Sequence, residues 1–122
     1  MMKLLNDMYT IKAWGDDGKK ACIEFNADHI IYHAHFPGNP ITPGVCIIKI
    51  ISEITELITN KSLNLHMVKN LKFVSPISPI ENPCVNICID KMEEVSEMLK
   101  IKGMITDEDK IYTKFSIIYN CL

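Results

Sequence analysis

The sequence predicts an α+β fold in which one long helix packs across a single antiparallel sheet of about six strands. Six segments have the pattern of strands, and the clearest of them alternate apolar and polar residues. Only one segment has a long helical pattern, and it lies between the second and third predicted strands. Short connections join most of the strands, as antiparallel neighbours require. One helix beside such a sheet is an α+β architecture.

Two strands are predicted before the helix, over residues 3–13 and 19–26. The turn between them contains Asp17 and Gly18, a common hairpin pair. Residues 27–41 are then predicted to form a long loop, which holds three of the four histidines. Long loops inside compact domains are often functional, so this loop is a candidate site.

The helix is predicted to begin near Thr42 or Pro43 and to end near Thr59. Threonine is a good N-cap, and proline is tolerated in the first turn. At about 100° per residue, six residues share a broad apolar face: Ile47, Ile50, Ile51, Ile54, Leu57 and Ile58. Five polar residues fall on the opposite face: Lys49, Ser52, Glu53, Glu56 and Thr59. Cys46 falls near the apolar face, which favours a thiol of the core over a nucleophile.

Four strands are predicted after the helix, over residues 65–75, 83–93, 96–106 and 110–121. Residues 94–95 and 107–109 are connections short enough for antiparallel neighbours. The whole chain, residues 1–122, is expected to form a single domain around one core. One helix is too small to cover six strands, so a partner subunit is expected to cover the rest.

The composition excludes several classes of function. The chain has a formal net charge of −2, and its basic and acidic residues are mixed along the sequence, so no nucleic-acid partner is expected. The N-terminus lacks the pattern of a secretory signal, and no apolar run reaches the roughly 18 residues of a membrane span. Five cysteines without a CxxC pair are typical of reduced thiols. We therefore expect a cytoplasmic protein.

The stretch HFPGNPITPGV, residues 35–45, joins a histidine and two Pro-Gly pairs directly to the start of the helix. On residue type alone, His35 is either a loop histidine that caps a turn or a functional group. His33 and His35 alternate as metal ligands can, but a zinc site needs three or four ligands. His29, His66 and Asp28 lie at no recognisable ligand spacing, so no metal is expected.

This stretch resembles the signature of the hotdog-fold 3-hydroxyacyl-acyl carrier protein dehydratases, His-Phe-Pro-Gly-x-Pro-x-x-Pro-Gly-Val, at every specified position. A later segment resembles the Phe-x-x-Pro-x-x-Pro-Gly-Asp pattern of the same family. Phe73, Pro76 and Pro79 match that pattern, whereas Ile80 and Glu81 replace its Gly-Asp. The predicted order of elements also agrees with a hotdog fold, in which one sheet wraps a long central helix.

The resemblance implies syn elimination of water from a (3R)-hydroxyacyl thioester in fatty-acid or related acyl-chain synthesis. His35 matches the base that removes the C2 proton. Gly44, with Val45, matches the helix N-terminal amides that polarise the thioester carbonyl. The other motif residues match the loop around the substrate: Phe36, Pro37, Gly38 and Pro43.

Lys49 departs from the family pattern. The family has a carboxylate fourteen residues after the histidine, on the helix of the other subunit, where it protonates the departing hydroxyl; here that position is Lys49. A lysine can replace the acid where burial or a neighbouring cation lowers its pKa, or it can bind an anionic group. It can also lie on a solvated face, paired with Glu53 for about 0.2–0.5 kcal/mol. Glu53, about 6 Å further along the axis, is a substitute acid or part of that face.

The resemblance also implies the partners. The substrate is carried on the phosphopantetheine of an acyl carrier protein or on CoA, and no other cofactor is expected. A homodimer is expected, with a higher oligomer or a pair with a homologous hotdog chain left open. Two other functions remain open: a non-catalytic acyl-thioester-binding subunit of such a pair, and a hotdog thioesterase in which Glu53 activates water.

Overall fold

A six-stranded antiparallel sheet dominates the computed structural model, which describes residues 3–122. The elements follow in this order: β1 (Tyr9–Trp14), β2 (Lys20–Phe25), α1 (Ile30–Ala34), α2 (Gly44–Thr59), β3 (Leu63–Phe73), β4 (Cys84–Val95), β5 (Met98–Asp107) and β6 (Lys110–Cys121). The strands are arranged β1-β2-β4-β5-β6-β3, and every neighbouring pair is antiparallel. The predicted α+β fold, with one long helix and six strands, is confirmed.

The first 25 residues hold both predicted strands, but β1 is shorter than the prediction. Residues 3–8 were predicted as strand, whereas the chain turns at Asn6, which has a φ of 67°. The N–H of Asp7 and the N–H of Met8 both donate to the Leu4 carbonyl, which closes this turn. β1 therefore begins only at Tyr9. The pair Asn6-Asp7 is a local turn signal, which the strand predicted over residues 3–13 passed over.

The segment predicted as a loop, residues 27–41, contains the short helix α1. His29 is its N-cap, and the His29 ring accepts a hydrogen bond from the Ile31 N–H at 3.2 Å. Tyr32 is buried on its inner side. A helix of five residues is too short to produce a recognisable apolar period, which is why the sequence pattern did not reveal it.

The start of α2 differs from the prediction in its cap. Pro43, not Thr42, is the N-cap residue, and among the described residues no side chain caps this end. The buried Thr42 hydroxyl is instead hydrogen-bonded to the Tyr32 hydroxyl at 2.9 Å. Asn60 has a left-handed conformation with a φ of 54°, so α2 ends at Thr59 as predicted.

The buried face of α2 is rotated relative to the prediction. Glu53 was placed on the polar face but is only 3% exposed, whereas Leu57 was placed on the apolar face and is 46% exposed. The reason is the N-terminal segment, which covers a side of the helix that one sheet cannot reach. Met8 and Tyr9 of that segment are fully buried.

The sheet packs closely where β4, β5 and β6 meet. A Cβ at Gly103 would lie 2.1 Å from the Cys88 carbonyl oxygen and 2.6 Å from the Phe115 ring, so glycine alone fits there.

The five cysteines form no disulfide, and burial raises the pKa of the Cys46 thiol, which agrees with a core residue. Neither helix of residues 3–122 has the length and hydropathy of a membrane span.

β3 is an edge strand whose outer side has no partner within residues 3–122. It is eleven residues long, and several large apolar side chains on it or beside it are exposed: Leu65, Met67, Phe73 and Val74. Long apolar edge strands are usually covered in native proteins, because their free backbone groups pair readily with another strand.

Candidate active site

His35 lies directly after α1, and backbone hydrogen bonds hold it on both sides. Its N–H donates to the Ile31 carbonyl at 3.0 Å, and its carbonyl accepts from the Ile41 N–H at 2.9 Å. Between them the chain makes a tight turn closed by Phe36 and Asn39, whose N–H groups donate to each other's carbonyls. Gly38 has a φ of 78°, the left-handed region that favours glycine. The loop therefore fixes the position of the histidine backbone.

The end of this loop is tied to the segment that follows β3. The Thr42 N–H donates to the Ile77 carbonyl at 2.8 Å. The N–H groups of Val74 and Ser75 both donate to the Tyr112 carbonyl of β6, which anchors the segment to the sheet. Residues 73–77 thus form the second wall of the site. Phe73 and Pro76 of this wall are the residues that match the second motif of the family.

A largely apolar cavity of about 410 Å³ lies between the loop, α2 and this segment. Its lining residues are His35, Phe36, Ile41, Thr42, Pro43, Gly44, Ile47, Phe73, Ser75, Pro76 and Ile77. The volume suits a small apolar ligand or one end of a longer chain. His35 is exposed at the mouth of the cavity, so its ring can reach a bound molecule.

The N-terminus of α2 opens into this cavity at Gly44. The first N–H groups of a helix have no acceptor within the helix, and among residues 3–122 those of Gly44 and Val45 find no other backbone acceptor, so they can bind a ligand oxygen. A Cβ at Gly44 would lie 2.9 Å from the Phe73 ring, so glycine lets this ring close against the helix start. The Val45 side chain instead lines a groove between α2 and β3.

The predicted substrate-loop residues divide between two cavities. Phe36 and Pro43 line the His35 cavity, as expected. Pro37 and Gly38 instead line a separate cavity of about 400 Å³ on the other side of the loop, together with His33. The structure therefore places half of this group beside His35.

Lys49 does not face the His35 cavity of its own subunit. It lies in a groove of about 320 Å³ between α2 and β3, here called the Lys49 groove. Its lining residues are Val45, Ile48, Lys49, Ser52, Glu56, Leu63, Asn64, Leu65 and Tyr119. The Ser52 and Tyr119 hydroxyls are hydrogen-bonded at 2.9 Å, and burial raises the pKa of Tyr119 to about 12. The phenol therefore stays neutral and polar at the base of the groove.

Glu53 lines neither the His35 cavity nor the Lys49 groove. Its carboxylate accepts hydrogen bonds from the Leu4 N–H at 2.7 Å, the Leu5 N–H at 3.0 Å and the Tyr9 hydroxyl at 2.9 Å. Burial, and then the hydrogen bond to Glu53, raise the pKa of Tyr9. The expected pairing of Glu53 with Lys49 on a solvated face is wrong. Its carboxylate ties the N-terminal segment to α2.

The family of the chain follows from a comparison with family models. The model of the ApeI-like proteins, described as ApeI dehydratase, matches residues 13–114, which include the His35 loop, α2 and most of the sheet. The chain belongs to the ApeI-like dehydratase family. The resemblance drawn from residues 35–45 is thereby confirmed at the level of the family.

Curated relatives of this ApeI-like chain are dehydratases. It is 27% identical over 99 residues to the 3-hydroxyacyl-[acyl-carrier-protein] dehydratase FabZ of Caulobacter vibrioides, covering 74% of the chain and 60% of the relative. It is 36% identical over 73 residues to the FabZ of a Wolbachia strain, covering 52% of the chain and 51% of the relative. The chain thus spans about 60% or less of the length of these relatives.

Solved structures show that the fold of this ApeI-like chain is the hotdog fold. The dehydratase heterocomplex ApeI:P from Xenorhabdus doucetiae superposes with a TM-score of 0.58 at 17% identity, covering 92% of this chain and 93% of that one. A protein of Pyrococcus horikoshii gives a TM-score of 0.64 at 9% identity, with coverages of 100% and 93%. A thioesterase of Haemophilus influenzae gives a TM-score of 0.60 at 13% identity, covering 93% of this chain and 78% of that one.

Proposed function

We propose that the chain forms a homodimer that dehydrates a (3R)-hydroxyacyl thioester carried on phosphopantetheine, in acyl-chain synthesis in the cytoplasm. The observation that carries the proposal is one apolar cavity that holds both the His35 ring and the free N-terminus of α2 at Gly44. A base beside a backbone oxyanion site is what removal of a proton next to a thioester carbonyl needs. Membership of the ApeI-like family and the FabZ relatives support the same reaction.

The chemistry assigns each group a step. The His35 imidazole takes the C2 proton, and the electron pair moves toward the thioester carbonyl. The N–H of Gly44 donates to that carbonyl oxygen, and the positive end of the α2 dipole stabilises the charge that develops there. As the C2–C3 double bond forms, the C3–O bond breaks and the hydroxyl leaves with a proton from an acid. Apolar walls at Ile47 and Ile77 keep bulk water from the reacting carbons.

The dimer is proposed through β3. Two β3 edges that pair antiparallel about a two-fold axis near the middle of the strand place Phe73 of one subunit beside Leu63 of the other. Phe73 lines the His35 cavity, and Leu63 lines the Lys49 groove. The His35 cavity of one subunit would then join the Lys49 groove of the second subunit in one site. The pairing would also cover the exposed apolar side chains of β3.

In this shared site Lys49 occupies the position of the family's acid. An ammonium group can give the proton that the departing hydroxyl needs, and solvent can then return the two proton-transfer groups to their starting states. Glu56 lies in the same groove two turns along α2, but its carboxylate accepts from the Leu63 N–H at 2.9 Å. Lys49 is therefore the proton donor that we propose.

A second candidate function is an acyl-binding subunit that pairs with a homologous hotdog chain. Lys49 favours it, because such a partner could supply the missing carboxylate. The structural neighbour from Xenorhabdus doucetiae is a dehydratase heterocomplex, which fits a hetero-pair. The thioesterase alternative has the fold likeness but no geometric support from Glu53, whose carboxylate is already bound by three donors.

An assay on a (3R)-hydroxyacyl carrier protein tests the proposal. The wild type should form the unsaturated thioester, and His35→Ala should lose about 10²–10⁴-fold in rate. His33→Ala is the matched control, since that histidine lies in the other cavity, and it should keep the activity. Equal rates for wild type and His35→Ala would refute the proposed base. An inactive wild type with an active Lys49→Glu variant would instead favour the hetero-pair.

A further inference from the structure

The outer face of the sheet, opposite α2, collects lysines from four strands. We call it the lysine face, and its members are Lys69 and Lys72 of β3, Lys91 of β4, Lys100 and Lys102 of β5, and Lys114 of β6. All six are exposed, and they alternate with buried residues such as Ile101 and Ile117 that face the core. The cluster is not apparent from the sequence, because its members are spread over 46 positions and meet only through strand pairing. Basic residues that are mixed with acidic ones along the sequence therefore still form a cluster on one face of the fold.

Strand register places several of these lysines directly opposite each other. Lys91 pairs with Lys102, and Lys72 pairs with Lys114. Like charges at opposite positions of neighbouring strands destabilise a sheet. Within residues 3–122 none of the six forms an ion pair, whereas lysines elsewhere do, such as Lys12 with Glu24. Glu93 of β4 lies opposite Lys100, so a carboxylate of the fold offsets the repulsion at that position but not between the two lysine pairs.

Part of the lysine face forms a groove. Four of its lysines border a shallow groove of about 160 Å³, with the half-buried Ser116 and Ile118 at its floor and Glu93 as its single lining carboxylate. Four neighbouring strands span about 15 Å from the first to the last. Three turns of an α-helix span about 16 Å, so carboxylates along one side of a helix match the spacing of these ammonium groups.

We propose that the lysine face docks a protein that presents an acidic helix, with aspartate and glutamate side chains toward the groove. A nucleic-acid partner is less well matched, because the chain contains no arginine and no aromatic side chain lines the groove. A membrane surface is less well matched, because the groove offers no exposed large apolar side chain to insert. The face lies on the opposite side of the sheet from His35, so this docking goes beyond the proposed reaction.

The test compares two triple variants with equal loss of charge. The first is Lys91→Gln with Lys100→Gln and Lys102→Gln, and the control is Lys3→Gln with Lys19→Gln and Lys110→Gln. The probe is a fluorescein-labelled synthetic helix with glutamates along one side, read by anisotropy, and its glutamine counterpart is the control peptide. The wild type should bind the glutamate helix, the first triple should bind it about tenfold more weakly, and the control triple should be within about twofold. Added salt should weaken binding.

Two further arms decide between partners. Phosphatidylglycerol vesicles and a short DNA duplex are titrated with the same three proteins. Weaker binding of either by the first triple, with no change for the glutamate helix, would overturn the proposal in favour of that surface. Equal affinity of wild type and first triple for the glutamate helix would also overturn it. Neither result depends on the dehydration assay, so this proposal and the proposed function can fail separately.

Discussion

At the scale of single residues, Glu53 shows how one buried carboxylate organises the chain. It lies on the long helix yet binds two backbone N–H groups and one phenol of the N-terminal segment. A buried carboxylate is tolerated only where such donors replace the water it loses. Its role here is to hold the first strand and the turn before it against α2.

Glu53→Gln should lower the free energy of unfolding by about 1–3 kcal/mol, measured by urea denaturation. The side-chain NH₂ group of a glutamine would face the N–H group of Leu4 or Leu5. One of these N–H groups would then lose its acceptor and remain unpaired. Glu97→Gln, at an exposed hairpin residue, is the control and should change stability by less than about 0.5 kcal/mol. A stable Glu53→Gln protein that has lost all dehydration would show that Glu53 is the acid after all.

Tyr32 should lower the stability of the folded protein at alkaline pH. Burial raises its pKa from 10.0 to about 12, so the folded state holds the phenol proton more tightly than the unfolded state does. This contribution to stability is complete below about pH 10 and is lost as the pH rises toward 12. Tyr32→Phe should therefore lose less stability than the wild type between about pH 9 and 11.5, compared by urea denaturation. Equal losses of stability in both proteins over this pH range would show that Tyr32 is not the cause.

At the scale of elements, the sequence predicted best what depends on local chemistry. The Pro-Gly pair at the start of α2 and the end of the helix before Asn60 are local signals, and the structure places them as expected within a residue or two. α1 has no such signal because it is a single short turn that gains its stability from the burial of Tyr32. The position of Glu53 depends on a contact 49 residues away, which no helical period contains.

The packing of β4, β5 and β6 makes Gly103 the most sensitive glycine of the sheet. Gly103→Ala should lower the free energy of unfolding by about 3 kcal/mol or more, because its Cβ would overlap a backbone oxygen that cannot move away. Lys102→Ala, the outward-facing neighbour on the same strand, should have a small effect. Thermal or urea unfolding of both proteins tests this difference. Equal stability of Gly103→Ala and the wild type would mean that β4 and β5 are further apart than described.

At the scale of the whole molecule, the His35 site was largely predictable and its completion was not. His35 and Gly44 share one short motif, so the sequence placed them together. The Lys49 groove lies on the other side of α2 in the same subunit, and only the free edge of β3 indicates how the two halves can meet. The lysine face is likewise a property of strand order rather than of any sequence segment.

The proposed dimer predicts the effect of a charge on the β3 edge. Leu65→Asp should shift the protein from dimer to monomer in light scattering, because it places a carboxylate in the apolar interface. Ile80→Asp changes another exposed apolar residue, which lies away from β3, and should leave the dimer intact. A Leu65→Asp protein that remains fully dimeric would place the interface elsewhere.

If His35 of one subunit and Lys49 of the other form one active site, as we propose, then mixed dimers of two inactive variants should regain activity. His35→Ala and Lys49→Ala are each purified, shown to be inactive, and then unfolded and refolded together in equal amounts. If the site is shared, half of the dimers carry one intact site, and the mixture should regain about one quarter of the wild-type dehydration rate. No recovery in a mixture shown to contain mixed dimers, or full activity of Lys49→Ala by itself, would show that the two subunits do not share the active site in this way.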